Sequence, residues 1–246
     1  RLGIYFVYDM ATGVVTRIAE AKIQEPTLSP DGSRVAYVRD NNLYIRELSS
    51  GNVVQVTTDG EPNAIINGVT DWVYEEEFAF VRAFDWNTAG NRIAFLRFDE
   101  REVPVYRLTD FSGQHPEYME LPYPKVGDDP PRERLGIIHV ADGSKKWLYF
   151  DPEGGYMPRI YWTSMENTLA VVWLNRAQDH MKLYLFDVVS GEKSLILEEK
   201  NDAWIDIFDF FAGELHLFCF PEDMDSFFWI SDRDGYSHIY QYDYEG

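Results

Sequence analysis

Three consecutive glutamates, Glu75-Glu76-Glu77, are the residues of this chain whose type and spacing could do chemistry. Carboxylates held side by side repel one another, and a cation relieves the repulsion. A peptide's α-ammonium group is such a cation. It offers three N–H donors and a positive charge, and two carboxylates can take it with charge-assisted hydrogen bonds. Hydrogen bonds to charged groups contribute about 1.5–3 kcal/mol each, enough to tell a free amino terminus from a blocked one. On residue types alone a second reading stands beside this one: a solvated acidic helix start.

The remaining candidates carry less. His115, His139, His180, His216 and His238 are scattered, with neither triad order nor metal-ligand spacing, and are expected as surface or core residues. Asp232-x-Asp234-Gly235 opens like a calcium loop but lacks the downstream glutamate, so a hairpin turn is predicted. No Gly-x-Ser-x-Gly elbow occurs, so no catalytic residue is assigned within this chain. No metal site and no cofactor are expected.

The elements that must position the glutamates read as strands. Ser29-Pro30-Asp31-Gly32 leads into Arg34-Val35-Ala36-Tyr37-Val38, and Asn87-Thr88-Ala89-Gly90 leads into Arg92-Ile93-Ala94-Phe95-Leu96. Met165-Glu166-Asn167 leads likewise into Thr168-Leu169-Ala170-Val171-Val172. Each unit is a polar turn followed by an apolar strand with a small alanine inside it. The first unit continues through Asp40-Asn41 and Ser49-Ser50-Gly51 into two further strands, and the third does so through Ser190-Gly191-Glu192. Another hairpin is predicted around Asp232-Arg233-Asp234-Gly235. Repeated small antiparallel sheets predict an all-β protein of the β-propeller type, with about four blades present and insertions between units at about 60–83 and 99–134. Within the first insertion, Thr70 and Asp71 as caps and the acidic residues after them predict a short helix carrying the glutamates. The second, rich in Pro and Asp over 122–131, is predicted as an extended loop or arm.

Composition narrows the class further. The chain has 246 residues, 45% hydrophobic and 16% aromatic, enough for one large β domain with a real core. No run approaches the roughly 18 apolar residues that a membrane span requires. Forty-two acidic residues against 22 basic ones give a net charge of −20, which repels phosphate backbones and speaks against nucleic acid as a partner. The single cysteine, Cys219, lies in the apolar run Leu217-Phe218-Cys219-Phe220 and is predicted buried as a small hydrophobe. One cysteine and no Asn-x-Ser/Thr sequon fit a bacterial protein. The start, Arg1-Leu2-Gly3-Ile4-Tyr5-Phe6, reads as a strand entered midway, so a preceding segment is expected.

Asn67-Gly68-Val69-Thr70-Asp71-Trp72-Val73-Tyr74-Glu75-Glu76-Glu77 closely resembles the double-glutamate segment of the dipeptidyl-peptidase IV family of serine peptidases. Glu102-Val103-Pro104, Leu121-Pro122-Tyr123-Pro124-Lys125-Val126-Gly127 and Arg233-Asp234-Gly235-Tyr236-Ser237-His238 resemble family segments in the same order. The resemblance implies that 1–246 is an incomplete portion of an eight-bladed propeller, beginning and ending within blades. Its own C-terminal α/β-hydrolase domain would lie outside this chain. It further implies an exopeptidase that releases X-Pro or X-Ala dipeptides from peptides with a free N-terminus, Glu76 and Glu77 binding the amine and Glu75 standing outside the site.

Trp72 and Tyr74 are expected as packing anchors. The family's later Phe–Arg pair matches Phe208 and, in place of the arginine, Asp209, which are further substrate-binding candidates. A homodimer is implied, with 106–124 as a dimerisation arm, and a periplasmic or cell-envelope location. The fragment alone is expected to be inactive. A tripeptidyl peptidase of the same superfamily and a non-catalytic propeller scaffold are the alternatives.

Overall fold

The computed structural model describes residues 1–150, 154–207, 219–221 and 224–245. Strands β1 (Phe6–Tyr8) and β2 (Val15–Arg17) form a hairpin. Strands β3 (Gln24–Leu28), β4 (Arg34–Arg39), β5 (Asn42–Glu47) and β6 (Val53–Gln55) make an antiparallel sheet in sequence order. The β4–β5 connection is the two-residue turn Asp40-Asn41. Both residues have positive φ (49° and 58°), a geometry that Asn and Asp tolerate and that matches the twist of the flanking strands.

The next sheet carries the glutamates. Strand β7 (Ile65–Asn67), helix α1 (Trp72–Glu77), strand β8 (Phe84–Trp86) and strand β9 (Arg92–Asp99) follow in order. Strands β10 (Val105–Asp110) and β11 (Glu117–Pro122) form a separate ribbon, and β12 (Arg132–His139) and β13 (Lys145–Leu148) complete the sheet. Both β7 and β8 pair with β9. Asn67 stands opposite Arg97 and Phe84 opposite Phe95, so the two are halves of one edge strand interrupted opposite Leu96. Residues 68–83 leave that strand and return to it. Their base is closed by the Val69–Arg82 bridge and by the Ala83 N–H donating to the Gly68 carbonyl at 3.0 Å. The sequence pattern places this insertion between repeats; the structure places it inside one, because the short strand pieces on either side share a partner 30 residues of chain cannot reveal by spacing alone.

Strands β14 (Tyr156–Trp162), β15 (Thr168–Leu174), β16 (His180–Asp187) and β17 (Lys193–Lys200) form a further antiparallel sheet in sequence order, and β18 (Ser226–Ser231) pairs with β19 (His238–Asp243). The expected Asp232-x-Asp234-Gly235 turn closes that hairpin, with the Gly235 N–H donating to the Asp232 carbonyl at 2.7 Å. The all-β expectation holds, with α1 the one α-helix among the described residues.

Apolar clusters join each sheet to the next. One links the first hairpin to the β3–β6 sheet through Ile18, Ile23, Tyr37 and Tyr44. A second links that sheet to β8 and β9 through Ala36, Ile45, Phe84 and Phe95, and a third binds β9, β12, β14–β16 and β18 around Phe98, Leu135, Val171 and Phe227. The repeated alanines occupy equivalent central positions: Ala36, Ala94 and Ala170 are fully buried, opposite Ile45, Ile137 and Leu185. Their small size admits the side chains of the neighbouring sheet. A second repeat signal lies in the strand before the second and third of these alanines. Trp86 Nε1 donates to the Thr27 carbonyl of β3 at 3.2 Å, and Trp162 Nε1 donates to the Asp85 carbonyl of β8 at 3.0 Å. Trp86 and Trp162 hold the same register, each opposite the first apolar residue of the following strand, so successive sheets are tied by the same indole-to-carbonyl bond.

One expectation needs correction. Cys219 is exposed, not buried. It pairs with Phe228 as an isolated bridge along the edge of β18, and among the described residues no strand lies on its other side to cover the side chain. The stretch predicted as an extended loop or arm holds both forms: the regular β10–β11 ribbon, and irregular chain after Pro122. Strand β10 is exposed on both faces, so it has no apolar stripe from which to read a strand.

Gly68 marks the exit to α1. Its φ is +78°, and a Cβ there would lie 2.7 Å from Cγ of the fully buried Leu43. Gly68→Ala is expected to destabilise the fold by about 2 kcal/mol or more, through left-handed backbone strain and overpacking together. The check is a urea titration, in which the midpoint falls with the m-value unchanged.

Candidate functional site

Helix α1 is too short to be stable by itself, so its surroundings must hold it. Asp71 is the N-cap: its carboxylate accepts from the Tyr74 N–H at 3.2 Å and the Val73 N–H at 3.3 Å. After the C-cap Phe78, Ala79 adopts φ +47° and turns the chain back, so that the Phe80 N–H donates to the Tyr74 carbonyl at 3.1 Å. Thr70 Oγ donates to the Phe80 carbonyl across the base of the excursion.

Tyr74 anchors the helix, as the sequence reading expects. Its buried ring meets Phe98, Phe78 and Tyr156 edge-on, at centroid distances of 5.0, 5.2 and 6.1 Å. The hydroxyl accepts from the Met157 N–H of β14 at 2.6 Å and hydrogen-bonds the Glu133 carboxyl of β12. Trp72 packs outward on Tyr123, beside the base of the ribbon, at 4.1 Å between centroids.

Beneath the helix lies a group of acids that the sequence did not bring together. Burial pushes the Glu133 carboxyl up to about 8, opposed by its hydrogen bond to Tyr74. Although Glu133 as a whole is half-buried, its Oε1 is sealed from solvent and has no hydrogen-bond partner. Burial likewise pushes Glu100 up to about 7, with the charge of Asp71 adding to the effect. Asp71 rises to about 6 from burial, against the two N–H donors that favour its charged form. Burial also raises the Tyr74 hydroxyl well above its ordinary value, and the Glu133 charge adds to it.

Glu75, Glu76 and Glu77 are all exposed. Burial therefore does not set Glu75 apart from the other two. Successive helical residues point about 100° apart, so the three carboxylates fan around the last turn. No basic residue lies in that turn, and none of the ion pairs among the described residues includes these glutamates. Negative charge at a helix C-terminus is unfavourable against the carbonyl dipoles, so the arrangement favours an incoming cation. Burial raises the Tyr156 hydroxyl above its ordinary value, the Arg176 charge opposes this, and the charges of Glu133, Asp71 and, least, Glu77 add to it.

Phe208 and Asp209 lie outside the described residues, as does His216. The remaining histidines are dispersed: His139 pairs with Asp142, His180 with Glu198, and His238 stands 3.6 Å from Asp234. Among the described residues no cluster of His, Cys, Asp and Glu has the geometry to hold a metal ion. The residues that sequence reasoning missed are Glu100, Glu133, Tyr156 and Met157. They come from three separate strands or their ends, and the one local hint is Pro158, a proline inside a strand and hence a sign of a bulge.

Residues 2–246 match the family model described as the dipeptidyl peptidase IV (DPP IV) N-terminal region. The probable dipeptidyl peptidase 4 of Emericella nidulans is 30% identical over 98% of this chain and 33% of its own length. The dipeptidyl peptidase 4 of Trichophyton tonsurans is 31% identical over 98% of the chain and 32% of its own. The crystal structure of Porphyromonas gingivalis dipeptidyl peptidase 4 superposes with a TM-score of 0.90 at 36% identity, covering 100% of this chain and 35% of that one. The chain thus spans about a third of the length of these relatives.

The raised carboxyls give the fold a direction of pH dependence. Unfolded glutamate titrates near pH 4.3. Between that value and about 8 the folded state therefore holds a proton on Glu133 that the unfolded state has lost. The stabilisation is complete below about pH 4.3 and is lost as pH rises through about 8. Glu133→Gln keeps the shape and cannot ionise, so its stability is expected to fall less than the wild type's between pH 5 and 8.5, as read by denaturant midpoints.

Proposed function

The chain belongs to the dipeptidyl peptidase IV N-terminal region family, and on that premise we propose that it gates substrate and binds the peptide amino terminus for a serine exopeptidase releasing X-Pro or X-Ala dipeptides. One observation carries the reading. Glu76 and Glu77 are adjacent, exposed and without a basic neighbour in their turn, at the end of a helix that the core holds in place. Two such carboxylates match an α-ammonium group in charge and donor count. A peptide held by its amino end presents only the bond two residues in, so anchoring acts as positional catalysis.

The rest of the proposal follows the family. The four-stranded sheets are successive blades of an eight-bladed propeller, of which this chain supplies about four. The nucleophilic serine belongs to an α/β-hydrolase domain C-terminal to it, and the chain by itself hydrolyses nothing. Phe208 and Asp209 are further substrate-binding residues. The β10–β11 ribbon, whose Tyr106, Leu108, Tyr118 and Met119 are exposed, serves as the arm of a homodimer. The protein works in the bacterial periplasm or cell envelope.

The test is hydrolysis of Gly-Pro p-nitroanilide by the full-length protein. Glu76→Gln and Glu77→Gln are each expected to lower kcat/KM by about 10- to 100-fold, the loss of one charge-assisted bond. Acetylating the substrate amine is expected to cost at least as much. Unimpaired cleavage of the acetylated substrate would sink the amine-anchoring role, and release of tripeptides in place of dipeptides would redirect the reading to a tripeptidyl peptidase.

A further inference from the structure

Helix α1 meets β14 at a second point, at its C-terminal end. The β14–β15 ladder slips between Tyr156, opposite Leu174, and Arg159, opposite Val172: β14 advances three residues while β15 advances two. This is a bulge, and Pro158, which has no N–H to offer a ladder, sits within it. The bulge releases the backbone on either side from regular pairing. On one side the Met157 N–H turns to Tyr74 Oη. On the other, the side chain of Arg159, only 5% exposed, runs beneath the end of the helix.

There Nη2 of Arg159 donates to the Phe78 carbonyl at 2.7 Å, and Nη1 donates to the Pro158 carbonyl at 2.6 Å. The guanidinium carbon stands 5.4 Å from the centroid of the Phe80 ring. Phe78 is the C-cap that directly follows Glu77, and Phe80 lies beyond the left-handed Ala79 that turns the chain away. One planar cation thus spans the bulge, the last carbonyl of the helix and the aromatic residue after the turn. Its charge also lies at the end of α1 where the carbonyl dipoles are negative.

We infer that Arg159 is a positioning residue for the amine-binding glutamates. It fixes the Phe78–Ala79 peptide unit, one residue beyond Glu77, and thereby the directions in which Glu76 and Glu77 project. This rests on the amine-anchoring reading of those two residues. The reason to need such a grip is geometric. A six-residue helix frays at its last turn, and a slip of one residue rotates the carboxylates by about 100°, which would separate them from a common ammonium group. A fork of N–H donors fixes a peptide plane in a way that a single ammonium cannot.

The experiment is a double-mutant cycle in the full-length protein between Arg159→Met and Glu77→Gln, read as kcat and KM on Gly-Pro p-nitroanilide, with cooperative thermal melting to establish folding. Arg159→Met is expected to raise KM about tenfold or more in the wild-type background and to cost about threefold less once Glu77 is already Gln, because part of its effect acts through that side chain. Arg159→Lys keeps the charge and loses the fork. It is expected to fall between the two, and it takes the place of Arg159→Met in the cycle should the methionine variant fail to fold. Equal losses with and without Glu77→Gln, or an unchanged KM in a folded Arg159 variant, overturn the inference. If Glu77→Gln alone changes nothing, the amine-anchoring reading fails first and the positioning role falls with it.

Discussion

A hydroxyl buried in an aromatic cluster must find partners for its hydrogen bonds, and Tyr74 finds them in two strands at once: the Met157 N–H of β14 and the Glu133 carboxyl of β12. Leaving such a group unpaired costs about 1–3 kcal/mol, so the bond is hard to give up once the ring is in place. Everything that lifts the glutamates off the sheet depends on this attachment. The excursion from 68 to 83 has a narrow base at Val69 and Arg82, and Tyr74 ties the helix within it to the sheets. With Tyr74 seated, the helix is tied both to its own sheet and to the next, and the exposed carboxylates inherit the rigidity of both.

The charges around α1 are sorted by burial. The chain is strongly acidic, and acids stand around the helix. Those beneath it, Asp71, Glu100 and Glu133, are dehydrated, and burial shifts all three upward, Glu133 the furthest, to about 8. Glu75, Glu76 and Glu77 on it remain in water. The same short element therefore supports a dry, hydrogen-bonded underside and an anionic outer end.

The scaffold repeats a small set of contacts. Buried alanines at 36, 94 and 170 leave room for the adjoining sheet, and Trp86 and Trp162 each reach the backbone of the sheet before them. Each contact links neighbours in sequence order, so the architecture can interrupt an edge strand for α1, or send out the β10–β11 ribbon, without disturbing the packing between sheets. Both excursions come from the same sheet, and Trp72 against Tyr123 brings them into contact.

The sequence by itself determined the strand content, the turns at Asp40-Asn41 and Asp232-Arg233-Asp234-Gly235, the central alanines, the helix over the glutamates and the family. These are local properties: periodicity, turn chemistry, capping and motif order act over a few residues and can be read where they stand. It misplaced Cys219, because apolar neighbours in a run predict burial only when another strand arrives to cover them. Only the tertiary structure decided that β7 and β8 are one interrupted strand, since that depends on both sharing β9 as partner. Likewise only the fold brings Glu100, Glu133, Met157 and Arg159 to a helix some 25 to 85 residues earlier in the chain. No spacing rule connects those positions. Burial and hydrogen-bond satisfaction select them, and both exist only once the sheets have packed.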